Sequence, residues 1–211
     1  PPYSLKWIGK DSPILINNER YAPAGVLAPK SAADLAFTMH MLYHLSETGT
    51  CAIVEFPGVL YRGGAEKKIR EYLIKNNFVD TVIQLPANLF FGVGIATCII
   101  VIKKNKKDNN ILFVDASEEC EKKGDKNKLE DENQNRIVNA YQERKEEQYF
   151  TKLVSNDEVL SNGANLSVSS YVEKEDKREV IDIVALNEEI EALSKDVRNR
   201  SVELDEMIKE L

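Results

Sequence analysis

Four short apolar runs within residues 1–115 constrain the fold of the chain more than any other feature. A continuous apolar run of this length is typical of a strand that other elements cover on both faces of a sheet. Between the first two runs lies an amphipathic segment, 66–76, and this strand–helix–strand order predicts a parallel pair with a right-handed crossover. The apolar runs occupy 51–54, 79–85, 97–102 and 111–114.

The link from Pro86 to Ala96 has no helical pattern, so the third strand is predicted to return antiparallel to its neighbour. The region 1–116 is therefore predicted to be an α/β domain. Its sheet is mostly parallel, with one antiparallel strand near its edge. A further helix, 32–47, is expected to begin after Ser31 as its N-cap, because serine is a favoured capping residue.

Beyond this domain the composition changes. Residues 117–179 are predicted to form a helical and irregular extension that includes a charged surface helix over 127–147. Residues 180–211 are predicted to form a coiled-coil-like C-terminal helix, because their apolar residues alternate three and four apart. Arg200 occupies a position in this seam and is its only break. The seam residues are Ile183, Leu186, Ile190, Leu193, Val197, Leu204, Met207 and Leu211.

Composition excludes some classes of protein. The 211 residues carry a formal net charge of −7, whereas a protein that binds DNA without a partner is usually basic. The apolar runs are much shorter than a membrane span, so no membrane association is predicted. Cys51, Cys98 and Cys120 have no metal-ligand spacing, and we expect reduced thiols in a cytoplasmic protein.

The chain opens on Pro1-Pro2-Tyr3 without an initiator Met, which indicates the interior of a longer protein. This motif alone is weak evidence, because a polyproline stub has the same residues. With the segments that follow it, however, the chain resembles the methylation (M) subunit of type I restriction-modification systems, which are adenine-N6 DNA methyltransferases. The segments that carry the resemblance are Pro1-Pro2-Tyr3-Ser4, 28–37, His40-Met41-Leu42, Gly58-Val59-Leu60-Tyr61-Arg62-Gly63-Gly64-Ala65-Glu66, Ile69-Arg70, 84–90, 111–115, Asn162-Gly163-Ala164-Asn165-Leu166 and Tyr171-Val172.

The resemblance implies the C-terminal half of a Rossmann-like methyltransferase fold that uses S-adenosylmethionine. It implies that Pro1, Pro2 and Tyr3 are the remainder of the catalytic motif Asn-Pro-Pro-Tyr. The missing Asn and the carbonyl of Pro1 would accept hydrogen bonds from the adenine amino group, and Tyr3 would stack on the extruded base. The cofactor site would lie mostly upstream of this chain, so these 211 residues are expected to be inactive alone.

Other residues are weaker candidates. Phe90 or Phe91 lies where related enzymes place a second aromatic against the target base, although one ring could instead anchor the core. Arg62, Gly63 and Gly64 could contact a DNA phosphate or could be a flexible turn. The lysines of 103–107 are interpreted as a solvated strand end rather than a DNA-binding patch. His40 and His44 are interpreted as packing residues, because the sequence offers no third metal ligand.

Partners follow from the acidic charge and the C-terminal seam. The resemblance implies that Ile183, Leu186, Ile190, Leu193, Val197 and Leu204 dock on a specificity (S) subunit that reads DNA. Through it they would join a second M subunit and the restriction (R) subunit. The alternative to docking on the S subunit is packing of this helix on its own domain.

The alternative to an enzyme is a non-catalytic assembly module. A nicotinamide-dependent oxidoreductase is disfavoured, because the sequence has no matching glycine fingerprint.

Overall fold

The computed structural model describes residues 1–175 and 182–209, and the chain divides into two compact units, Pro1–Lys174 and Glu175–Leu211. The predicted start of the C-terminal helix at Val180 and the last seam residue, Leu211, lie outside the described residues. None of the described helices is both long enough and apolar enough to cross a membrane.

The first unit is built on a five-stranded mixed sheet with the order β1-β3-β2-β4-β7, beside a two-stranded hairpin, β5-β6. Strands β2 and β4 pair in parallel, and the other three pairings in the large sheet are antiparallel. In chain order the strands are β1 (Thr50–Glu55), β2 (Val79–Gln84), β3 (Cys98–Lys103), β4 (Asn110–Asp115), β5 (Glu121–Lys123), β6 (Lys126–Lys128) and β7 (Thr151–Ser155).

This sheet confirms the predicted α/β class and the antiparallel direction of β3. Two details of the five-stranded sheet differ from the prediction. Strands β1 and β2 run parallel but are not neighbours, because β3 lies between them and pairs with both. Strand β7 is a second antiparallel strand, in a stretch that was predicted to be helical or irregular. Its sequence gives only a weak strand signal, because its two apolar residues, Leu153 and Val154, are adjacent rather than alternating.

Two helices, α2 and α4, are shorter than the sequence predicts, whereas α3 begins two residues earlier than expected. Helix α2 begins at Asp34, and Ala33 rather than Ser31 is its N-cap residue, with no side-chain capping bond; the amide of Ala33 donates to Leu5 O. Helix α4 begins only after the β5-β6 hairpin and ends where Arg144 is left-handed, at φ 50°. The helices are α1 (Pro13–Ile16), α2 (Asp34–His44), α3 (Gly64–Lys75), α4 (Asp131–Glu143), α5 (Asn156–Ser161) and α6 (Ile183–Lys209).

Strand β4 shows how the sheet is covered on both faces. Ile111 and Phe113 point into the larger apolar cluster, which includes residues of α2 and α3. Leu112 and Val114 point into a smaller cluster on the opposite face, with Ile137 of α4. Because side chains alternate along a strand, a strand buried on both faces reads as a continuous apolar run. The central runs of the sequence therefore correspond to central strands.

Candidate active-site loop

Pro1 and Pro2 are exposed at the start of the chain, and Tyr3 is half-buried behind them. The turn that follows is held against the start of α2. Ser4 N donates to Asp34 Oδ1 over 2.8 Å, and Ala33 N donates to Leu5 O over 2.9 Å. Further along, Trp7 Nε1 donates to Pro29 O over 2.9 Å. The segment carrying the predicted catalytic residues is therefore fixed to the body of the first unit.

Three carboxyl groups lie buried near this loop, on Asp34, Glu55 and Glu66. Thr38 Oγ1 donates to Glu55 Oε1 over 2.9 Å, so α2 contacts the end of β1. Among the described residues, Asp34 Oδ2, Glu55 Oε2 and Glu66 Oε1 have no hydrogen-bond partner. An unpaired buried carboxylate oxygen costs free energy, and burial raises the pKa of both Glu55 and Glu66.

The electrostatics connect these acids to Tyr3. The pKa of Glu55 is raised to about 7, mainly by burial; the Thr38 hydrogen bond opposes this shift and the negative charge of Asp34 adds to it. Burial also raises the pKa of Tyr3, and Glu55, Cys98 and Asp34 add to this effect. The tyrosine hydroxyl is therefore favoured in its neutral form, next to an acidic interior.

The register of the sheet brings two loops to the same edge. Cys98 of β3 pairs with Glu55 on one side and with Gln84 on the other. Glu55 and Gln84 are the last residues of β1 and β2, so these strands end side by side, flanking Cys98. In open α/β sheets, ligands bind outside the carboxyl ends of the strands. Tyr3, near Glu55, and the loop after β2 both belong to this edge.

The loop after β2 carries Phe90 and Phe91, whose side chains are 40% and 96% exposed. Neither ring anchors the core; Leu89 is the residue that packs against the smaller cluster. The β5-β6 hairpin holds the loop, because Asn127 Nδ2 donates to Ala87 O over 2.9 Å and Lys126 Nζ donates to Phe90 O over 3.3 Å. Both rings are therefore accessible on a loop that is supported from one side.

The turn between β1 and α3 carries the predicted phosphate-contacting residues Arg62, Gly63 and Gly64. The Arg62 guanidinium lies 5.0 Å from the centre of the Phe56 ring, and its Nη1 atom is 3.8 Å from Glu66 Oε1. Gly64 is left-handed, at φ 67°, where α3 begins, and a side chain at either glycine would meet open space. The turn is therefore structured, and Arg62 is partly engaged by its own unit.

The remaining sequence candidates have local partners. Lys103 Nζ lies 3.2 Å from Asp80 Oδ2, and Lys106 Nζ donates to the carbonyls of Val79 and Asn110 over 2.8 and 2.7 Å. The rings of His40 and His44 meet edge to face at 4.6 Å. Across residues 1–175 and 182–209 no group of side chains is arranged to hold a metal ion. Packing and strand-end roles fit these residues.

The seam of α6 lies on the surface. Its apolar side chains are between 44% and 70% exposed, and Arg200 Nε is 2.9 Å from Asp196 Oδ2 one turn earlier on the same helix. The exposed seam residues are Ile183, Leu186, Ile190, Leu193, Val197, Leu204 and Met207.

Sequence reasoning missed the buried charged residues. Arg70 is 1% exposed; its Nε donates to Ala164 O over 2.7 Å and its Nη1 donates to Val59 O over 2.8 Å. Asp34 lies within the predicted helix 32–47, and Glu55 directly follows the apolar run 51–54. A signal was present, since an acid within an otherwise apolar segment is rarely buried without a specific reason.

Known proteins match the chain along most of its length. The N-6 DNA methylase family matches residues 1–180. The methylase subunit of the type I restriction enzyme MpnII from Mycoplasma pneumoniae is 44% identical over 99% of this chain and 39% of that protein. The MjaVII methylase subunit from Methanocaldococcus jannaschii is 34% identical over 87% of this chain and 32% of that protein.

A solved structure agrees with these sequences. The methyltransferase subunit of a type I restriction-modification system from Streptococcus thermophilus matches 82% of this chain and 37% of its own, with 43% identity and a TM-score of 0.79. The chain therefore spans less than two fifths of the length of these relatives. The resemblance to type I methylation subunits is confirmed, and the chain belongs to the N-6 DNA methylase family.

Proposed function

We propose that this chain is the base-holding part of the modification subunit of a type I restriction-modification system. The complete subunit would transfer a methyl group to N6 of adenine in DNA. The observation that carries the proposal is the Pro1-Pro2-Tyr3 loop at the carboxyl edge of the sheet, fixed there by a buried aspartate. A loop that must orient a reacting group gains from being rigid before the substrate arrives.

Each residue of the loop has a chemical task. Adenine N6 is a weak nucleophile, because its lone pair is delocalised into the ring. A carbonyl that accepts a hydrogen bond from the amino group, here that of Pro1, stabilises the positive charge that develops on nitrogen. The fixed φ of Pro2 keeps this carbonyl oriented. The ring of Tyr3 stacks on the base after it leaves the duplex.

S-adenosylmethionine supplies the methyl group when it is bound. No residue of this chain is assigned to the cofactor, since the glycine-rich loop of such sites has no counterpart in its sequence. The neutral Tyr3 hydroxyl fits the base side of such a reaction, because it places no anion at the stacked ring. Phe90 and Phe91, exposed on the neighbouring loop, are further candidates for contact with the base or the DNA strand.

The partner proposal rests on α6 and on charge. A net charge of −7 disfavours tight DNA binding by this chain alone, so DNA recognition is delegated. The exposed seam from Ile183 to Met207 fits a helix of the specificity subunit, and through that subunit a second M subunit and the R subunit. The same exposure supports a second candidate function, that of an assembly module without catalysis.

Substitution of Tyr3 separates the two candidates. In a full-length subunit complexed with its specificity subunit, Tyr3→Ala should reduce methyl transfer about 10- to 100-fold, because base stacking contributes about 1–3 kcal/mol. Tyr3→Phe keeps the ring and should be mild. The measurement is incorporation of labelled methyl groups from S-adenosylmethionine into DNA at saturating concentrations. Equal loss in both variants would contradict stacking, and complete absence of transfer by the unmodified complex would favour the assembly module.

A further inference from the structure

Ser4, directly after Tyr3, has a left-handed backbone with φ 52°. Residues with a side chain adopt this conformation uncommonly, and where they do the surroundings usually hold them there. The turn at Ser4 sets the direction in which the chain leaves Tyr3. The orientation of the Tyr3 ring and of the preceding carbonyls therefore depends on whatever holds Ser4.

The side chain that holds Ser4 is Asp34. Its Oδ1 atom accepts from Ser4 N at 2.8 Å, and its residue is fully buried in the first turn of α2. The free amides at a helix start favour a negative charge there, which keeps the carboxylate in place. The adjacent bond from Ala33 N to Leu5 O, 2.9 Å long, fixes the chain on the other side of the turn.

A second layer fixes α2 itself. Thr38, one turn after Asp34, donates to Glu55 Oε1 over 2.9 Å, and Glu55 N and O belong to the edge where β1 meets β3. Asp34 is therefore held on a rigid helix against a rigid strand. For stability alone an apolar residue would serve as well, because a buried carboxylate with one unpaired oxygen is a poor source of folding energy.

We propose that Asp34 is a positioning residue for the Pro1–Tyr3 loop: its carboxylate fixes the left-handed turn at Ser4, and so the angle at which the Tyr3 ring and the Pro1 carbonyl meet the base. The inference rests on the proposed function for its catalytic consequence. The mechanical part, that Asp34 holds the turn, concerns this chain alone and can be measured without catalysis.

The catalytic test uses the full-length subunit with its specificity partner. Asp34→Ala should lower kcat about 10- to 100-fold, since a displacement near 1 Å in a reacting group has an effect of that size. The KM for S-adenosylmethionine should stay unchanged. Asp34→Asn keeps an acceptor oxygen for Ser4 N and should recover most of the rate. Asp131→Ala, which removes an exposed first-turn aspartate from α4, is the matched control and should have no effect.

A double variant tests the turn directly. Glycine adopts positive φ without a side-chain penalty. Adding Ser4→Gly to Asp34→Ala should therefore restore part of the lost kcat if the deficit lies in the turn. A purely structural role for Asp34 predicts otherwise: all Asp34 variants would lose activity in proportion to their unfolded fraction, and glycine at position 4 would not help. That result would overturn the proposal.

Amide hydrogen exchange, measured by NMR on the 211-residue chain, separates this proposal from the proposed function. The Ser4 amide should be protected in the unmodified chain and in Asp34→Asn, and should lose at least about tenfold protection in Asp34→Ala. If the Ser4 amide of the unmodified chain exchanges freely, the positioning role is wrong even if the complex methylates DNA. If the protection of the Ser4 amide changes as expected but the complex transfers no methyl group, Asp34 does hold the turn and the proposed function is wrong.

Discussion

The first unit and helix α6 contrast in what their side chains bury. The unit Pro1–Lys174 encloses two apolar clusters and fully covers charged groups such as Asp34, Glu55 and Arg70. Along α6, every side chain that the structure describes is exposed, including its apolar seam. A helix of this kind gains little stability from its own sequence, because packing of an apolar face is what stabilises most protein helices.

The contrast indicates which interactions stabilise each region. Inside the first unit, buried polar groups are fixed by bonds to backbone and neighbouring side chains, so this unit specifies its own arrangement. The seam of α6 has apolar residues at heptad spacing, and such residues stabilise a helix only when they pack against a second apolar surface. Substitutions in the two regions should therefore be detected by different measurements.

The largest effect is expected in α6. Burial of a leucine side chain contributes about 1.5–3 kcal/mol, so Leu186→Asp with Leu193→Asp should weaken binding to the specificity subunit about 100- to 10,000-fold. The melting temperature of the first unit should be nearly unchanged. Co-purification and titration calorimetry measure the first effect, and circular dichroism of the 211-residue chain measures the second.

The matched control for this pair is Ala185→Asp with Ala192→Asp, which adds the same charges at the same spacing one residue outside the seam. It should leave the complex intact. Survival of the complex in the leucine variant, together with a lower melting temperature for the chain, would show instead that the seam stabilises its own chain.

The next effect belongs to the first unit. Arg70→Met should lower the free energy of unfolding by about 3–5 kcal/mol, because it leaves the buried carbonyls of Val59 and Ala164 without their donor and removes one of the two cations near Glu66. Urea unfolding of the 211-residue chain measures this loss. Lys145→Met, at an exposed ion pair with Glu143, should cost less than about 1 kcal/mol. Comparable losses in the two variants would contradict the expectation that the buried Arg70 stabilises the fold more than an exposed ion pair does.

The smallest effect is a dependence on pH. Burial raises the pKa of Glu55 from an ordinary value of 4.5 to about 7, so the folded chain holds this proton more tightly than the unfolded chain does. The stabilisation is present in full below the ordinary value and is lost as the pH rises to about 7. Between pH 5 and 8 the free energy of unfolding should fall by up to about 3 kcal/mol.

Glu55→Gln should flatten this fall, since glutamine keeps an acceptor for Thr38 and has no proton to lose. The exposed Glu47→Gln is the control and should retain the full slope. Glu66, whose pKa burial also raises, leaves a smaller slope of the same sign in the Glu55 variant. An unchanged slope in Glu55→Gln would mean that Glu55 is ionised throughout this range.

Sequence patterns predicted most of the sheet, because apolar runs such as Ile111 to Val114 identify central strands directly. They could not predict that β3 lies between β1 and β2, since strand order depends on long-range pairing such as that of Cys98 with both Glu55 and Gln84. The short charged strands β5 and β6 have no apolar pattern at all.

In the candidate site, too, the sequence identifies some residues and only the folded chain identifies others. Pro1, Pro2 and Tyr3 could be named from a resemblance that covers a contiguous motif. Asp34 could not, because its partner Ser4 is 30 residues away and only the folded chain brings them together. The sequence also could not show that Phe90 and Phe91 are both exposed, because the burial of Leu89 beside them depends on tertiary packing.

The two hydrogen bonds of Arg70 have a consequence for the order in which contacts form during synthesis. Ala164 O lies 94 positions along the chain from the guanidinium that binds it, and Leu166 N donates to Leu60 O over 2.9 Å in the same region. A contact of such long range forms late, because a large loop must close first. During translation the turn before α3 therefore lacks these bonds until residues 164–166 have left the ribosome, and a nascent chain that stops short of them leaves Arg70 without its Ala164 partner.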